Sequence, residues 1–352
     1  MGNQFGTALR LSIFGQSHAD AIGMTLEHFP TGFTVDMDAL QTFLQRRAPG
    51  QGAHTTSRKE PDVPRFLSGI VNGTTCGASI CAIIENTNTR SQDYVNLMEM
   101  PRPSHADYPA RIKYGESYDA RGGGQFSGRL TAPLCIAGGL CLQYLQTLGI
   151  SVGAQIQQIG GVKNPKFDPI SPQIPSEFSV PTAEMLEEIA LAKAEKDSVG
   201  GIIECAVIGL PVGIGEPMFG GLENRLAQIL FGIPAVKGVE FGSGFDCASM
   251  RGSEHNDPYY VNSEGHIKTK TNHAGGILGG LSTSMPLIFR VAIKPTASIA
   301  RPQESVSFTG ENGILEIHGR HDPCIVPRAV PCVEAAAAIA ILDAILEAKQ
   351  WT

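Results

Sequence analysis

From Leu130 to Val162 the chain carries no Asp, Glu, Lys or Arg. Such a stretch has to be withdrawn from water. A membrane-spanning helix needs about 20 predominantly apolar residues. Here Pro133, Gly138, Gly139, Gln143, Tyr144, Gln146 and Gly149 interrupt the run. The pattern predicts a buried core helix from about Pro133 to Leu148, with small residues that let a neighbouring helix come close. "PRAVPCVEAAAAIAILDAIL" is a second segment of the same kind. Both have an Arg and a Pro near their start.

The elements before these two helices also look alike. "GMTLEHFPTGFTV" reads as a strand and a turn, followed by "DMDALQTFLQRR", with Met37, Leu40, Phe43 and Leu44 on one helical face. "GIIECAVIGLPVGIG" repeats strand and turn, and "GLENRLAQILFG" then aligns Leu222, Leu226, Ile229 and Leu230. Strand candidates follow in "GASICAIIEN" and "MPLIFRVAIKP". The recurrence predicts an internal duplication, with pseudo-repeats at 7–150 and 200–350, inside one domain spanning 1–352. Between them, "TAEMLEEIALAKAEKDSVGG" predicts a surface helix with Thr182 as N-cap and Gly200 as stop. The expected fold class is mixed α/β, strands and helices stacked in layers. No G-x-G-x-x-G follows a strand, which argues against a dinucleotide-binding domain.

Charged residues make up 17% of the chain, against about 25% in typical domains. Part of so uncharged a surface is expected to be buried against other subunits. The net charge of −7 and the lack of a long basic run exclude a general nucleic-acid binder. Any anion site must be a local basic pocket in an acidic protein. The N-terminal "MGNQFGTALRLSIFG" fits neither a signal peptide nor a myristoylation pattern. The eight cysteines form no C-x-x-C pair and read as reduced core thiols. A cytoplasmic protein without a membrane segment is expected.

Loops dense in Arg, His, Ser and Gly recur along the chain. "RGGGQFSGR" sets three glycines between Arg121 and Arg129. The arginines point to an anion, and the glycines to a backbone that passes close to something. "FGQSHAD" carries Ser17 and His18, "QRRAPGQGAHTTSRK" carries Arg46, Arg47, His54, Arg58 and Lys59, and "PRPSHADYPARIKYG" carries Arg102, His105 and Asp107. "TNHAGGILGGLSTS", "KPTASIARP" and "HGRHDPC" add His273, Lys294, Ser298, Arg320, His321 and Asp322. Each has a bland reading. Arg46 and Arg47 end a helix, where cations favour the dipole, and Arg58 and Lys59 read equally as solvated surface. His318, His321 and Asp322 are possible metal ligands, yet no H-E-x-x-H or Cys/His spacing supports them. "RGGGQFSGR" lacks the G-K-[ST] ending of a P-loop. Together the loops suit a small polyanion and acid–base chemistry, with histidine as the natural proton donor near neutral pH.

"FGQSHA", "RPSHADY", "KYG", "RGGGQFSGR", "NHAGGILGGLS", "KPTASI" and "GRHDPC", in this order, resemble the chorismate synthase family from Phe14 to Cys324. The resemblance implies a β-α-β sandwich, a homotetramer, and an anti-1,4-elimination. In that reaction 5-enolpyruvylshikimate 3-phosphate gives chorismate and phosphate, with reduced FMN required and no net redox change. It implies that His18 protonates the departing phosphate, that His105 faces the reduced flavin, and that Asp322 works in removal of the C6 proton. Arg46, Arg47, Arg102 and Arg129 are implied on the substrate side. Gln125, Phe126, Ser127, Pro234, Ala235, Gly279, Lys294, Pro295, Thr296, Ala297, Ser298 and Arg320 are implied on the flavin side. By the resemblance, the glycines of "RGGGQFSGR" let the backbone approach flavin and substrate.

The chain departs from the family at a few positions. The family commonly has Glu at Gln16, Gly at Ala19 and Arg at Gln125. It often has Arg at Ala48, and a basic residue at Ala53 that bears on NADPH binding. The source of reduced FMN, this protein or a separate flavin reductase, stays open. Two other functions remain as alternatives: a metal-dependent phosphoester hydrolase using His321 and Asp322, and a non-catalytic flavin-binding protein.

Overall fold

The computed structural model describes residues 2–50, 60–87, 96–317 and 321–349. Two five-stranded antiparallel sheets enclose a layer of helices. Sheet I contains β1 (Gln4–Phe5), β2 (Arg10–Gly15), β3 (Ala21–Glu27), β4 (Arg65–Ser68) and β5 (Ile80–Glu85), in the order β1-β2-β3-β5-β4. Sheet II contains β6 (Ser151–Ile159), β7 (Val162–Lys163), β8 (Gly201–Ile208), β9 (Val236–Phe241) and β10 (Leu287–Ile293), in the order β9-β10-β8-β6-β7. Short hairpins complete the described strands. The strand period of two puts one face of each sheet on the core. In sheet I the buried rows pair Ile22 with Ile84, Met24 with Ala82 and Leu26 with Ile80. In sheet II they pair Ile203 with Val291, Cys205 with Phe289 and Val207 with Leu287.

The helical layer holds α1 (Met37–Arg47), α3 (Thr131–Thr147), α5 (Leu222–Phe231) and α6 (Val326–Ala348). Outside it, among the described residues, lie α2 (Asp107–Tyr114), α4 (Ala183–Ala194) and the single turn of helix Gly252–His255. The uncharged run thus forms the expected core helix α3 and continues into strand β6. Helix α6 is long and apolar enough to cross a membrane, but almost all of it is enclosed by the protein. The two long helices touch where the small residues predict. A Cβ on Gly138 would lie 2.2 Å from the Cβ of Ala335. Leu40 and Leu44 of α1 are buried as the periodicity requires, while Met37 stays exposed.

With α2, β7, α4 and the short hairpins and helical turns set aside, each half from β2 onward runs strand, strand, helix, strand, strand, long helix. The series are β2-β3-α1-β4-β5-α3 and β6-β8-α5-β9-β10-α6. The spatial orders, β2-β3-β5-β4 and β6-β8-β10-β9, are the same. The second series begins at Ser151, earlier than the expected 200, because β6 pairs with β8 through Ser151–Ile159. Two local expectations shift. Helix α4 has the Thr182 cap but ends at Ala194, where Lys196 takes a φ of 58°. It does not run on to Gly200, which precedes β8. All eight cysteines are free, yet only five are core thiols: Cys76 and Cys247 are exposed and Cys81 is half-buried.

Candidate active site

His18 lies in the short turn between β2 and β3. Asn86 ties this turn down, its Nδ2 donating to the carbonyls of Ala19 (2.8 Å) and Gln16 (3.3 Å). The N–H of Ser17 donates to the carbonyl of Gly124 at 3.1 Å, which docks the turn onto the triple glycine. Gly122, Gly123 and Gly124 all have positive φ, at 59°, 85° and 54°, a region that L side chains avoid. Space excludes a side chain as well. A Cβ on Gly122 would fall 2.5 Å from the His18 ring and Ser17 Oγ. One on Gly123 would fall 3.2 Å from Cε1 and Nε2 of His105. The glycine turn therefore threads between the two histidines. Within the chain it closely approaches these two rings, Ser17 and, at Gly124, the carbonyl of Asp119, 2.2 Å from a Cβ there. Its arginines divide. Arg121 pairs with Asp119 at the surface (2.8 Å), and Arg129 enters the interior. Asp119 is held below the usual carboxylate range chiefly by its hydrogen bond from Arg121, with His18 among the smaller causes.

His105 belongs to a second knot. Nδ1 lies 2.6 Å from Asp107 Oδ1. Arg102 donates to the same carboxylate from Nε (2.7 Å), Nη2 (2.8 Å) and its backbone N–H (3.1 Å). Its Nη1 reaches Ser298 Oγ at 3.0 Å, which brings the "KPTASI" loop to the "PRPSHAD" loop. Burial opposes ionisation of Asp107, but the bonds from Arg102 and His105 hold its carboxyl far below the usual range.

Arg47 and Arg129 share Asp62. Arg47 donates to Asp62 Oδ2 (2.7 Å), Thr131 Oγ1 (2.9 Å) and the carbonyl of Gly128 (2.8 Å). Arg129 donates to Asp62 Oδ1 and to Asn86 Oδ1 (3.2 Å), with Glu60 at 3.4 Å. Both arginines, Glu60 and Asp62 are buried. Burial raises the Asp62 carboxyl, but Arg47 and Arg129 outweigh it and hold the group below its ordinary value. Nη2 of Arg129 is buried with no hydrogen-bond partner among the described residues. Arg328 joins the cluster, donating to the Arg47 carbonyl (2.9 Å) and pairing with Asp322. Each cation here has an anion. The basic pocket expected from sequence is balanced internally by Glu60, Asp62, Asp107 and Asp322. Arg46 is placed elsewhere. It forms a two-pronged pair with Glu334 (2.7 and 3.0 Å), whose Oε1 also accepts the N–H of Ala154.

The remaining predicted residues fall into three groups. Lys294, Pro295, Thr296, Ala297 and Ser298 follow β10, and the Lys294 N–H donates to the Ala235 carbonyl at 2.9 Å. Pro234 and Ala235 are thereby held beside them. Burial and neighbouring Lys237 push the Lys294 ammonium down. The carbonyl of Thr296 accepts from Ser198 Oγ (2.8 Å), and the adjacent Val199 N–H donates to the Pro323 carbonyl (2.9 Å). This segment links the loop to Asp322. Gln125 and Phe126 lie half-buried after the glycines. Phe126 packs on Tyr118 (centroids 6.1 Å) and Tyr114 (6.4 Å), and Ser127 Oγ caps the Arg129 N–H at 3.3 Å. Gly279 sits apart from these knots, in the turn of the hairpin Ile277–Ser282, where a Cβ would meet nothing within 4 Å. Arg320 lies outside the described residues, as do Ala53, His54, Arg58, Lys59 and His318. Glu60, Asp62, Asn86 and Arg328 were not singled out from sequence. For Arg328 a signal was there: it stands before α6 Pro331 much as Arg129 stands before α3 Pro133.

The sequence model of the chorismate synthase family matches residues 9–346. The chain belongs to the chorismate synthase family. A chorismate synthase of Lancefieldella parvula is 46% identical over 366 aligned positions, covering 97% of this chain and 96% of its own length. One from Korarchaeum cryptofilum is 44% identical, covering 99% of both chains. A crystal structure of chorismate synthase shares the fold with a TM-score of 0.75 at 26% identity, covering 97% of this chain and 93% of its own. The chorismate synthase fold accounts for the two sheets and the helical layer between them.

Proposed function

We propose that this chain catalyses the anti-1,4-elimination of phosphate from 5-enolpyruvylshikimate 3-phosphate to give chorismate, in the shikimate pathway, with reduced FMN as a required cofactor. The carrying observation is the glycine turn that seats His18 and His105 on its two sides, within a chain matched by its family along nearly its whole length. The C–O bond to phosphate breaks at one end of the reacting system and a C–H bond breaks at the other. His18 donates a proton to the departing phosphate. Asp322, with Arg328 beside it, accepts the proton from C6. Arg47, Arg102 and Arg129 bind the phosphate and carboxylates. The family resemblance adds Arg46, which is paired here with Glu334.

Gln125–Ser127, Pro234–Ala235 and Lys294–Ser298 would hold the flavin. They fit such a group in one respect: Thr296 Oγ1 is a buried hydroxyl with no partner among the described residues. Reduced FMN supplies electron density that the elimination needs and returns unchanged. His105 keeps a proton-exchanging nitrogen on that side of the turn, and the family resemblance adds Gly279 and Arg320 to the flavin contacts. The enzyme works as a cytoplasmic homotetramer, and the low charged fraction supports the oligomer. The hydrolase and the non-catalytic flavin binder find no support in the family. An anaerobic assay for chorismate, with and without reduced FMN, tests the reading. Chorismate forms only with the reduced cofactor. Undiminished turnover with oxidised flavin refutes it.

A further inference from the structure

We propose that Asp107 is the positioning residue of His105, fixing its ring as the Nδ1–H tautomer so that Nε2 is the exchanging nitrogen. The inference rests on the reading of His105 as a residue of the reaction. Two groups crowd Nδ1: Asp107 Oδ1 at 2.6 Å and Arg102 Nη2 at 3.0 Å. A guanidinium only donates and a carboxylate only accepts, so Nδ1 cannot satisfy both. The Arg102 Nη2 hydrogen has another acceptor, since Nη2 also lies 2.8 Å from Asp107 Oδ1. The carboxylate has the closer approach and is ionised. Nδ1 therefore carries the proton. Nε2 is left bare in the neutral ring, on the edge that lies against Gly123.

Asp107 is well suited to this task. It is 1% exposed and pinned by three donors from Arg102, so the carboxylate cannot swing away. It also opens α2, where the helix dipole favours a negative charge. Arg102 and Tyr118 are the other ionisable groups around it. The Tyr118 hydroxyl is pushed up to about 12, by burial first and Asp107 next, and stays neutral. It donates to the Gly123 carbonyl at 3.3 Å. One carboxylate thus sets both the proton position on His105 and the orientation of the anion-binding Arg102. Through Arg102 it reaches Ser298, which lies on the flavin side.

The test is the ¹⁵N spectrum of the full enzyme labelled with ¹⁵N-histidine, without substrate, at a pH where the ring is neutral. The His105 signals are assigned by their loss in His105→Gln. The wild type should show a protonated Nδ1 and a bare Nε2, and an Nε2–H ring there overturns the proposal without any variant. Asp107→Asn presents an NH₂ group to the ring and should move the proton to Nε2. Turnover should fall by about 10² or more, in the range for acid–base roles, with KM changed only a few-fold. Asp107→Glu should restore part of the rate. An unchanged Nδ1–H spectrum in folded Asp107→Asn overturns the proposal whatever the activity. A shifted tautomer with full turnover upholds the positioning and overturns instead the role given to His105. Full turnover in His105→Gln does the same.

Discussion

The two halves of the molecule share a strand order but not a chemistry. In each, the link from the shorter helix to the next strand and the link from the last strand to the long helix carry residues of the proposed site. The first half supplies Arg47 from the end of α1 and Asp62 from the link after it, and His105, the glycines and Arg129 from the other link. The second supplies Pro234 and Ala235, then Lys294–Ser298 and Asp322. Arg129 and Arg328 even stand at matching places, before α3 and in the first turn of α6, each paired with a buried acid. The difference lies between the first two strands. In the first half that link is a tight turn bearing His18. In the second it is the long excursion through β7 and α4, and its end reaches the proposed site, among the described residues, through backbone and Ser198. A repeated scaffold offers the same places twice, and loop length decides which of them hold reactive side chains.

The largest expected effects fall one in each half. His18→Ala and Asp322→Ala should each lower turnover by about 10² to 10⁴ while flavin still binds, as read by steady-state rates and flavin fluorescence. Near-normal rates in either folded variant would mean that only one half carries the chemistry. Next comes Asp62, whose loss leaves Arg47 and Arg129 buried side by side without their shared anion. Asp62→Ala should cost about 3–5 kcal/mol in denaturant unfolding, the usual penalty for breaking a buried ion pair. The same group sets a pH dependence. Its folded value is depressed, so its contribution is present above the unfolded value of about 3.9. That contribution is lost as pH falls through the lower folded value. Asp62→Asn should therefore flatten the acid limb of the stability curve.

Smaller effects probe the seam between the halves. Gly138→Ala pushes a methyl into Ala335 across the α3–α6 contact and should cost about 1–3 kcal/mol by overpacking. Adding Ala335→Gly should recover part of the loss, measured by thermal unfolding of the double variant. At the small end, Arg111 and Glu116 form an exposed pair at 3.0 Å. Glu116→Ala should change stability by less than about 1 kcal/mol. A larger cost would show that the surface of the first half matters more than its buried ion pairs imply.

The sequence made the helices and central strands legible because each is an amphipathic or fully apolar segment with its own period. The core rows Ile22, Met24, Leu26 and the helical faces of α1 and α5 are local patterns. The glycine triplet was legible as a close approach, though not to what. That His18 and His105 fill the space is a fact of three loops meeting. The buried acids were the least legible. Glu60 and Asp62 sit in "KEPDVP", which reads as a solvated turn, and only the return of α3 places Arg129 against them. Arg46 and Arg47 are neighbours with the same local signal. The rotation of about 100° between successive residues of α1 sends one to Glu334 and the other to Asp62. Pairing between distant segments has no local period to announce it.

The central claim is that both halves act on one substrate in a single elimination. The direct measurement is the stoichiometry of one anaerobic turnover, with chorismate, phosphate and flavin oxidation followed together on enzyme loaded with reduced FMN. Chorismate and phosphate should appear in equal amounts with the flavin still reduced at the end. Phosphate release without chorismate, or oxidation of one flavin per product, would contradict that claim.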